Sequence, residues 1–491
     1  MVDIKKVYDY KPEAVRDTLL GALKKRKGEA TTADLVAYTG LPKYQVETEL
    51  PALADEYLGR LKVTQSGEIL YSFPRGFTSR YRGFGLSLRR GLKAVRKFFA
   101  AVATYLFKAW IMVMLVGYFV LFLVLIVLSV VASFAGSASN RSSRSRSKGG
   151  GMMLTGRLIE LFIRIWFYNE LFKSPYQRRA GIEARDRKRG NRRPLHKAIF
   201  SFVFGEPDPN GAHDAVEKRA FIALVRARKG IVLLEDYMAI TGLSPEAAES
   251  AINRYLYEFE GSPEVSDAGT VYFKFPALLK RARDDGAGAS DSPFKRLRPF
   301  SANEAKSNAW YAGINGFNLV LGAYFLLTSV SYGFIAPALV TGGTWLYYNV
   351  LRLLYQVMGT GSLGFITVGL GVVPLAFSIL FWLVPALRYG RLGRENERIK
   401  EENLRRVLYA QAVRSPSLVR APDPVSLPEA AKVKNPKAPI RVLEELAAYE
   451  RGDPTTDGRA WRLTELERKT ADAEVLRSSI KQEDYRLGDV T

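Results

Sequence analysis

Thiolate chemistry is closed to this chain, which has no cysteine among its 491 residues. Disulfides, thiolate metal sites, iron–sulfur ligation and cysteine nucleophiles are therefore excluded. The two histidines, His196 and His213, are too few for a histidine-rich metal site and leave a Ser/His/Asp relay almost no material. One spacing hints at a cation: Asp208, Asn210, Gly211 and Asp214 follow D-x-N-G-x-x-D. A calcium loop begun at Asp208 would need a bidentate Glu at its twelfth position, where Arg219 stands. The stretch reads instead as a Pro/Asn/Gly turn entering a helix. Glycines 359, 361, 364, 369 and 371 suggest a phosphate loop or a pore, but G-x-x-x-x-G-K-[ST] is absent. Glycine inside an apolar span serves helix packing. No acid pair or nucleophile stands beside a base, so the expectation is no enzyme: no catalytic residue, no metal ligand and no cofactor.

What the residues do offer is charge. The formal net charge of +23 points to anionic partners, nucleic acid or a membrane surface, and its placement favours the membrane. Residues 109–135 carry no charged side chain, which is long enough for a spanning helix. A second apolar block covers about 309–388, with its best spans near 311–337 and 363–387. Arg80, Arg82, Arg89, Arg90, Lys93, Arg96 and Lys97 precede the first block, and Arg192 and Arg193 follow it. Such cations flank spans on the cytoplasmic side and hold anionic headgroups, at about 1 kcal/mol each. The N-terminal region, the middle region and the C-terminal tail are thus expected in the cytoplasm, which requires even numbers of crossings between them. Either 98–135 bends into a hairpin near Gly117, or the stretch 152–172 returns through the bilayer; four crossings are expected.

The elements that must position these charges come from a repeat. Residues 26–74, shifted by 202, align without a gap on 228–276. "RKG" meets "RKG", Asp34 meets Asp236, and Thr39-Gly40-Leu41 meets Thr241-Gly242-Leu243. Glu47, Glu56, Gly59, Gly67 and Phe73-Pro74 meet Glu249, Glu258, Gly261, Gly269 and Phe275-Pro276. Such a match marks an internal duplication. Each copy predicts a first helix, a second helix N-capped by Thr31 or Thr32 and stopped by Gly40, and a third with Val46, Leu50, Leu53 and Tyr57 at 4, 3, 4 spacing. Two alternating strands around "QSGE" or "DAG" follow.

This order resembles the winged-helix family over about 60 residues in each copy. The resemblance implies an α+β fold whose third helix most often reads DNA in the major groove. The third helices here carry Lys43, Glu47, Glu49 and Glu56 in one copy and Glu246, Glu249, Arg254 and Glu258 in the other. A DNA-reading face must neutralise phosphates, and these acidic faces would repel them. Nucleic acid is disfavoured, and these eight residues are expected to contact protein. The stretch 196–214, an apolar run entering an acidic turn, is similar to a segment of uncharacterised bacterial and plastid membrane proteins, some labelled iron–sulfur assembly factors. Without cysteine, no cluster-ligating role carries over.

The expected chain is a mainly α membrane protein in which duplicated winged-helix modules each precede a transmembrane helical block. Module 1 covers 1–77, a basic collar 78–97, the first membrane block 98–135 and a Ser/Arg/Gly linker 136–151. An amphipathic interfacial helix covers 152–173, and a basic linker with a short strand 174–214. Module 2 covers 215–278, a basic linker 279–302, the second membrane block 303–388, a charged helix 389–414, and a Pro-rich linker with short helices 415–491. The expected function is an integral membrane scaffold or assembly/regulatory factor in a bacterial inner membrane or its equivalent. Its partners would be anionic lipid and a cytoplasmic protein. A membrane-tethered DNA-binding regulator and a channel or transporter subunit are the alternatives; the near absence of ionisable residues in the spans weighs against the last.

Overall fold

A computed structural model of the protein describes residues 10–26, 28–64, 68–74, 77, 84–138, 193–279, 293–423 and 425–480, with the backbone alone for 84–94, 97 and 134–138. The described residues are mainly helical, with three small antiparallel sheets. They form two compact units. One comprises Met1–Arg90, Pro207–Arg298 and Gly393–Thr491; the other comprises Gly91–Glu206 and Pro299–Leu392.

In the first unit, module 1 runs α1 (Pro12–Lys25), β1 (Glu29–Thr31), α2 (Thr32–Thr39), α3 (Lys43–Glu56), β2 (Arg60–Val63) and β3 (Ile69–Ser72). Thr31 and Asp34 form a reciprocal capping box at the start of α2, and Gly40 ends that helix at φ +74°, a left-handed conformation that glycine adopts without a Cβ clash. The sheet order is β1-β3-β2. The strand β1 between the first two helices was not foreseen. Three residues are too few for alternation to show.

The second copy repeats this order after α4 (Phe84–Met112), α5 (Tyr118–Ala138) and α6 (Leu195–Phe204). It contains α7 (His213–Ala227), β4 (Ile231–Val232), α8 (Leu234–Thr241), α9 (Pro245–Phe259), β5 (Ser262–Val265) and β6 (Val271–Lys274), with sheet order β4-β6-β5. Even the register is kept: Glu29 and Arg60 both oppose Ser72, as Ile231 and Ser262 both oppose Lys274. Phe221, Tyr237, Tyr255 and Phe275 pack edge to face at its centre, the arrangement aromatic quadrupoles favour.

The C-terminal region, expected as a Pro-rich linker with short helices over 415–491, contains short strands as well. After α10 (Ala305–Tyr332), α11 (Trp345–Met358) and the long α12 (Val373–Arg414) come β7 (Val419–Arg420), a 3-10 turn at Glu429–Ala431, α13 (Ala438–Tyr449), β8 (Asp453–Pro454) and β9 (Ala460–Arg462). Its sheet order, β7-β9-β8, is that of the other two. Val419, Leu427, Ala431 and Ala438 are buried, so this segment is anchored by apolar side chains despite its prolines. In each module a non-glycine residue in the left-handed region (Leu58, Glu260, Arg451) precedes a glycine that closes the third helix (Gly59, Gly261, Gly452). In each, the residue after the third strand donates its N–H to the turn that follows the first helix: Phe73 to Gly28, Phe275 to Gly230, Leu463 to Pro416. A last helix, α14 (Thr464–Ser479), follows.

The second unit holds the apolar helices. Among the described residues, three stretches are long and apolar enough to cross a membrane: Phe98–Ser133, Ala305–Tyr332 and Gly361–Arg414. Phe98–Ser133 does not turn back at Gly117. A π-helical segment, Val113–Gly117, joins α4 to α5 continuously, and a second, Phe365–Val372, opens into α12. A π turn leaves backbone carbonyls without their usual helical donors, and side chains fill the gap here. Asn318 donates to the carbonyl of Leu115 at 2.7 Å, and the Tyr118 hydroxyl donates to that of Gly369 at 2.9 Å. Gly371 lets α10 approach closely, since a Cβ there would lie 3.0 Å from Leu326 Cα; this is the small-residue contact on which helices pack in lipid. The short strand expected within 196–214 is instead α6. Its buried Ala198, Ile199, Phe202 and Val203 recur with helical spacing, which a continuous apolar run conceals. The interfacial helix at 152–173 and the linker at 136–151 fall on or reach into residues outside the described ones.

Candidate functional site

The third helices were expected to face a partner, and each touches a neighbouring module of the chain. Lys43, at the start of α3, pairs with Glu260 of module 2 at 2.5 Å and with Glu47 at 3.3 Å. Tyr44 packs against Tyr257, ring centroids 5.7 Å apart. On α9, Glu249 accepts a hydrogen bond of 2.7 Å from Tyr449 on α13. Two further acids turn inward. Glu49 is buried and accepts from Tyr10 and Arg16 within module 1, while Glu258 is buried between Lys218 at 2.6 Å and Arg254 at 2.7 Å. Their helical phase puts them on the inner face toward the first helix, where a cation meets each. Of the eight, Glu47, Glu246, Glu249 and Arg254 are exposed, and Lys43 and Glu56 are half-buried.

The T-G-L turn is the docking element. Gly40, between α2 and α3, sits against α7: a Cβ there would lie 3.0 Å from the Ala215 carbonyl oxygen and 3.4 Å from Lys218 Cβ. Gly242, its counterpart at φ +69°, sits the same way against α12. A methyl there would overlap the Glu402 carbonyl oxygen and lie 3.0 Å from Arg406 Cγ. The turn of each of the first two modules thus rests on the first helix of the next. Backbone carbonyls on the docking side are captured by arginines of the receiving helix. Arg226 reaches Ala33 O at 3.3 Å, and Arg406 reaches Ile240 O at 2.9 Å. Arg406 is fully buried; burial outweighs the acids Glu217 and Glu402 beside it and lowers its guanidinium pKa. One apolar core runs through all three modules, from Leu19 and Leu50 through Phe259 to Leu446 and Trp461.

The helix α14 completes the unit by returning to module 2. Lys469 bridges Glu235 (2.9 Å) and the fully buried Glu450 (3.0 Å), and Arg477 pairs with Asp236 at 3.0 Å. Burial, then the neighbouring Glu235, pushes Glu450 up to about 8. A cavity of about 760 Å³ lies between α7, α8, α12 and α14. Its guanidiniums from Arg228 and Arg477 are matched by Asp236 and Glu474.

The D-x-N-G-x-x-D residues are engaged as a turn. Asn210 exchanges hydrogen bonds with the Arg296 backbone, and Asp214 pairs with Lys218 at 3.1 Å. Among the described residues no group of three His, Asp or Glu side chains could hold a metal ion. Of the expected headgroup ligands, Arg80, Arg82 and Arg192 lie outside the described residues. Arg89, Arg90, Lys93 and Lys97 lie on α4, where the backbone alone is described, so the collar at 78–97 is from Phe84 onward part of that helix. Arg96 is exposed, and Arg193 pairs with Glu206.

These features describe a mainly helical protein with apolar helices able to span a membrane and a separate unit of three small helix-and-sheet modules. No family model matches the chain, and no solved structure matches it. It is 25% identical, over 419 residues, to an uncharacterized chloroplastic protein of Arabidopsis thaliana, a match covering 84% of this chain and 75% of that one.

Proposed function

We propose that this protein is an integral membrane scaffold or assembly factor whose modules are winged helices used for protein–protein contact. The observation that carries this reading is that the third helices of the first two modules are spent on neighbouring modules, through Lys43–Glu260, Tyr44–Tyr257 and Tyr449–Glu249. A winged helix that reads DNA must present that helix to the groove with cations outward. Here the start of α3 lies against module 2 through Lys43 and Tyr44, and the exposed Glu47 and Asp55 that it retains would repel phosphate. The membrane is of a bacterial-inner or plastid type, consistent with the chloroplastic relative. Because the three modules share one core, they lie on one side of it, the cytoplasmic or equivalent side. The chain between modules 1 and 2 must then cross an even number of times. Phe98–Ser133 supplies one crossing, and residues 139–192 lie outside the described ones. The surface left to a partner includes the module 1 hairpin, where Leu58, Leu61, Val63 and Ile69 are exposed.

A mobility-shift assay on the full chain in detergent micelles, at near-physiological salt, tests the reading. Binding to duplex DNA no tighter than the non-specific range of about 10⁻⁴–10⁻⁶ M is expected. Specific binding near 10⁻⁸ M would overturn it in favour of a membrane-tethered DNA-binding regulator.

A further inference from the structure

The helix α14 is held in an unusual way. Leu466, Ala473 and Arg477 are its buried residues, so apolar burial anchors it weakly and polar contacts carry the rest. Arg477 donates to the Ile231 carbonyl and pairs with Asp236. Glu474 pairs with Arg228 at 3.1 Å, and Lys229 donates to the Arg477 carbonyl at 3.0 Å. Arg468 reaches the Ala268 carbonyl at 2.7 Å, and Asp472 accepts from Ser266. Beneath Ala473 and Leu476 lie Ile231, Leu233 and Tyr272 of module 2. Detaching α14 would therefore bare an apolar face of that module.

We infer that α14 is a proton-operated strap: the Glu235–Lys469–Glu450 cluster holds it on module 2 while one carboxyl carries a proton, and loss of that proton lets it go. Three elements meet at the cluster, α8 with Glu235, the end of α13 with Glu450, and α14 with Lys469. Two buried carboxylates face one ammonium, so full ionisation leaves one negative charge without a counter-ion in a low-dielectric site. The other charged groups facing it are Asp236 with Arg228 and Arg477, Glu249 through the Tyr449 hydroxyl, and on α14 itself Glu465 with Arg468. Lys469 remains charged throughout, because burial, which opposes its charge, is outweighed by the two carboxylates that raise its pKa. The docked Glu450 holds its proton up to about pH 8, whereas the undocked group in water loses it near the ordinary glutamate value of about 4.3. The docked state therefore binds more protons between those limits. Its stabilisation is full below the lower limit and is lost as pH rises toward the upper one, by about tenfold per pH unit.

Hydrogen exchange on the full chain in detergent micelles reads this directly. After correction for intrinsic exchange rates, the closed-to-open equilibrium of peptides within 464–480 should fall about 30-fold from pH 6.0 to 7.5. Peptides of α1–α3 serve as the internal reference. Glu450→Gln, which mimics the protonated carboxyl, and Glu235→Gln, which leaves one carboxylate for one ammonium, should each abolish that slope. No slope in the unmodified chain, or a slope that survives either substitution, would overturn the inference. If one variant loses protection in α1–α3 as well, the other decides.

Discussion

Replacing Gly242 by alanine separates backbone strain from module docking. At φ +69° an alanine pays about 1–2 kcal/mol for the left-handed conformation. Its methyl also overlaps the Glu402 carbonyl oxygen and meets Arg406 Cγ at 3.0 Å. A backbone oxygen on a packed helix cannot rotate away, so overpacking adds about 1–3 kcal/mol. Gly269 is the matched control: its φ is +80° and nothing lies within 4 Å of a Cβ there, so alanine costs about 1–2 kcal/mol of strain alone. Gly40→Ala should fall between the two, because its Cβ would approach Ala215 O at 3.0 Å without overlap. A chain of several modules does not unfold in two states, so local opening is the better readout. Hydrogen exchange of amides in α8 and in residues 400–412 should show Gly242→Ala raising the opening equilibrium about 5- to 150-fold beyond Gly269→Ala. Equal effects of Gly242→Ala and Gly269→Ala would refute the docking of the T-G-L turn on α12.

Further expectations follow from buried polar contacts. Lys218→Met leaves the buried Glu258 to Arg254, and should destabilise α9 by about 3 kcal/mol, read by exchange of its amides. Adding Glu258→Gln should recover part of that loss, because the buried charge goes with it. In the unit with the apolar helices, Asn318→Leu removes the donor to the Leu115 carbonyl and should cost about 0.6–1.7 kcal/mol, measured as a shift in denaturing-detergent titration. Gly371→Val pushes a branched side chain into Leu326 and should cost more than Asn318→Leu in the same titration.

The legible parts of the fold were those written in residue identity at fixed spacing. Gly40 and Gly242 mark the same left-handed cap in both modules, and Gly59 and Gly261 the same helix stop. Those glycines carried the alignment on which the modules were recognised. The third module escaped because its second helix is a single 3-10 turn, Glu429–Ala431, with no T-G-L after it. The pair Arg451-Gly452, matching Leu58-Gly59 and Glu260-Gly261, was the signal available. The inward turn of Glu49 and Glu258 was hidden for another reason. An acid on a helix reads as exposed until the cation opposite it is known, and Arg16 and Lys218 lie more than 30 residues away in sequence. Docking between modules is set by shape at glycine Cβ positions, which no periodicity records. The α6 helix was missed because an unbroken apolar run carries no period.

The central claim is that the start of α3 docks on module 2. The absence of cysteine makes this directly measurable in the full chain. A Lys43→Cys/Glu260→Cys chain treated with a short bis-thiol reagent should crosslink in high yield, while a Lys43→Cys/Val475→Cys chain, whose second site is exposed on α14, should not. Failure of the first pair to crosslink, with both of its thiols reacting fully with a monofunctional reagent, would contradict the account and return the third helix to an outside partner.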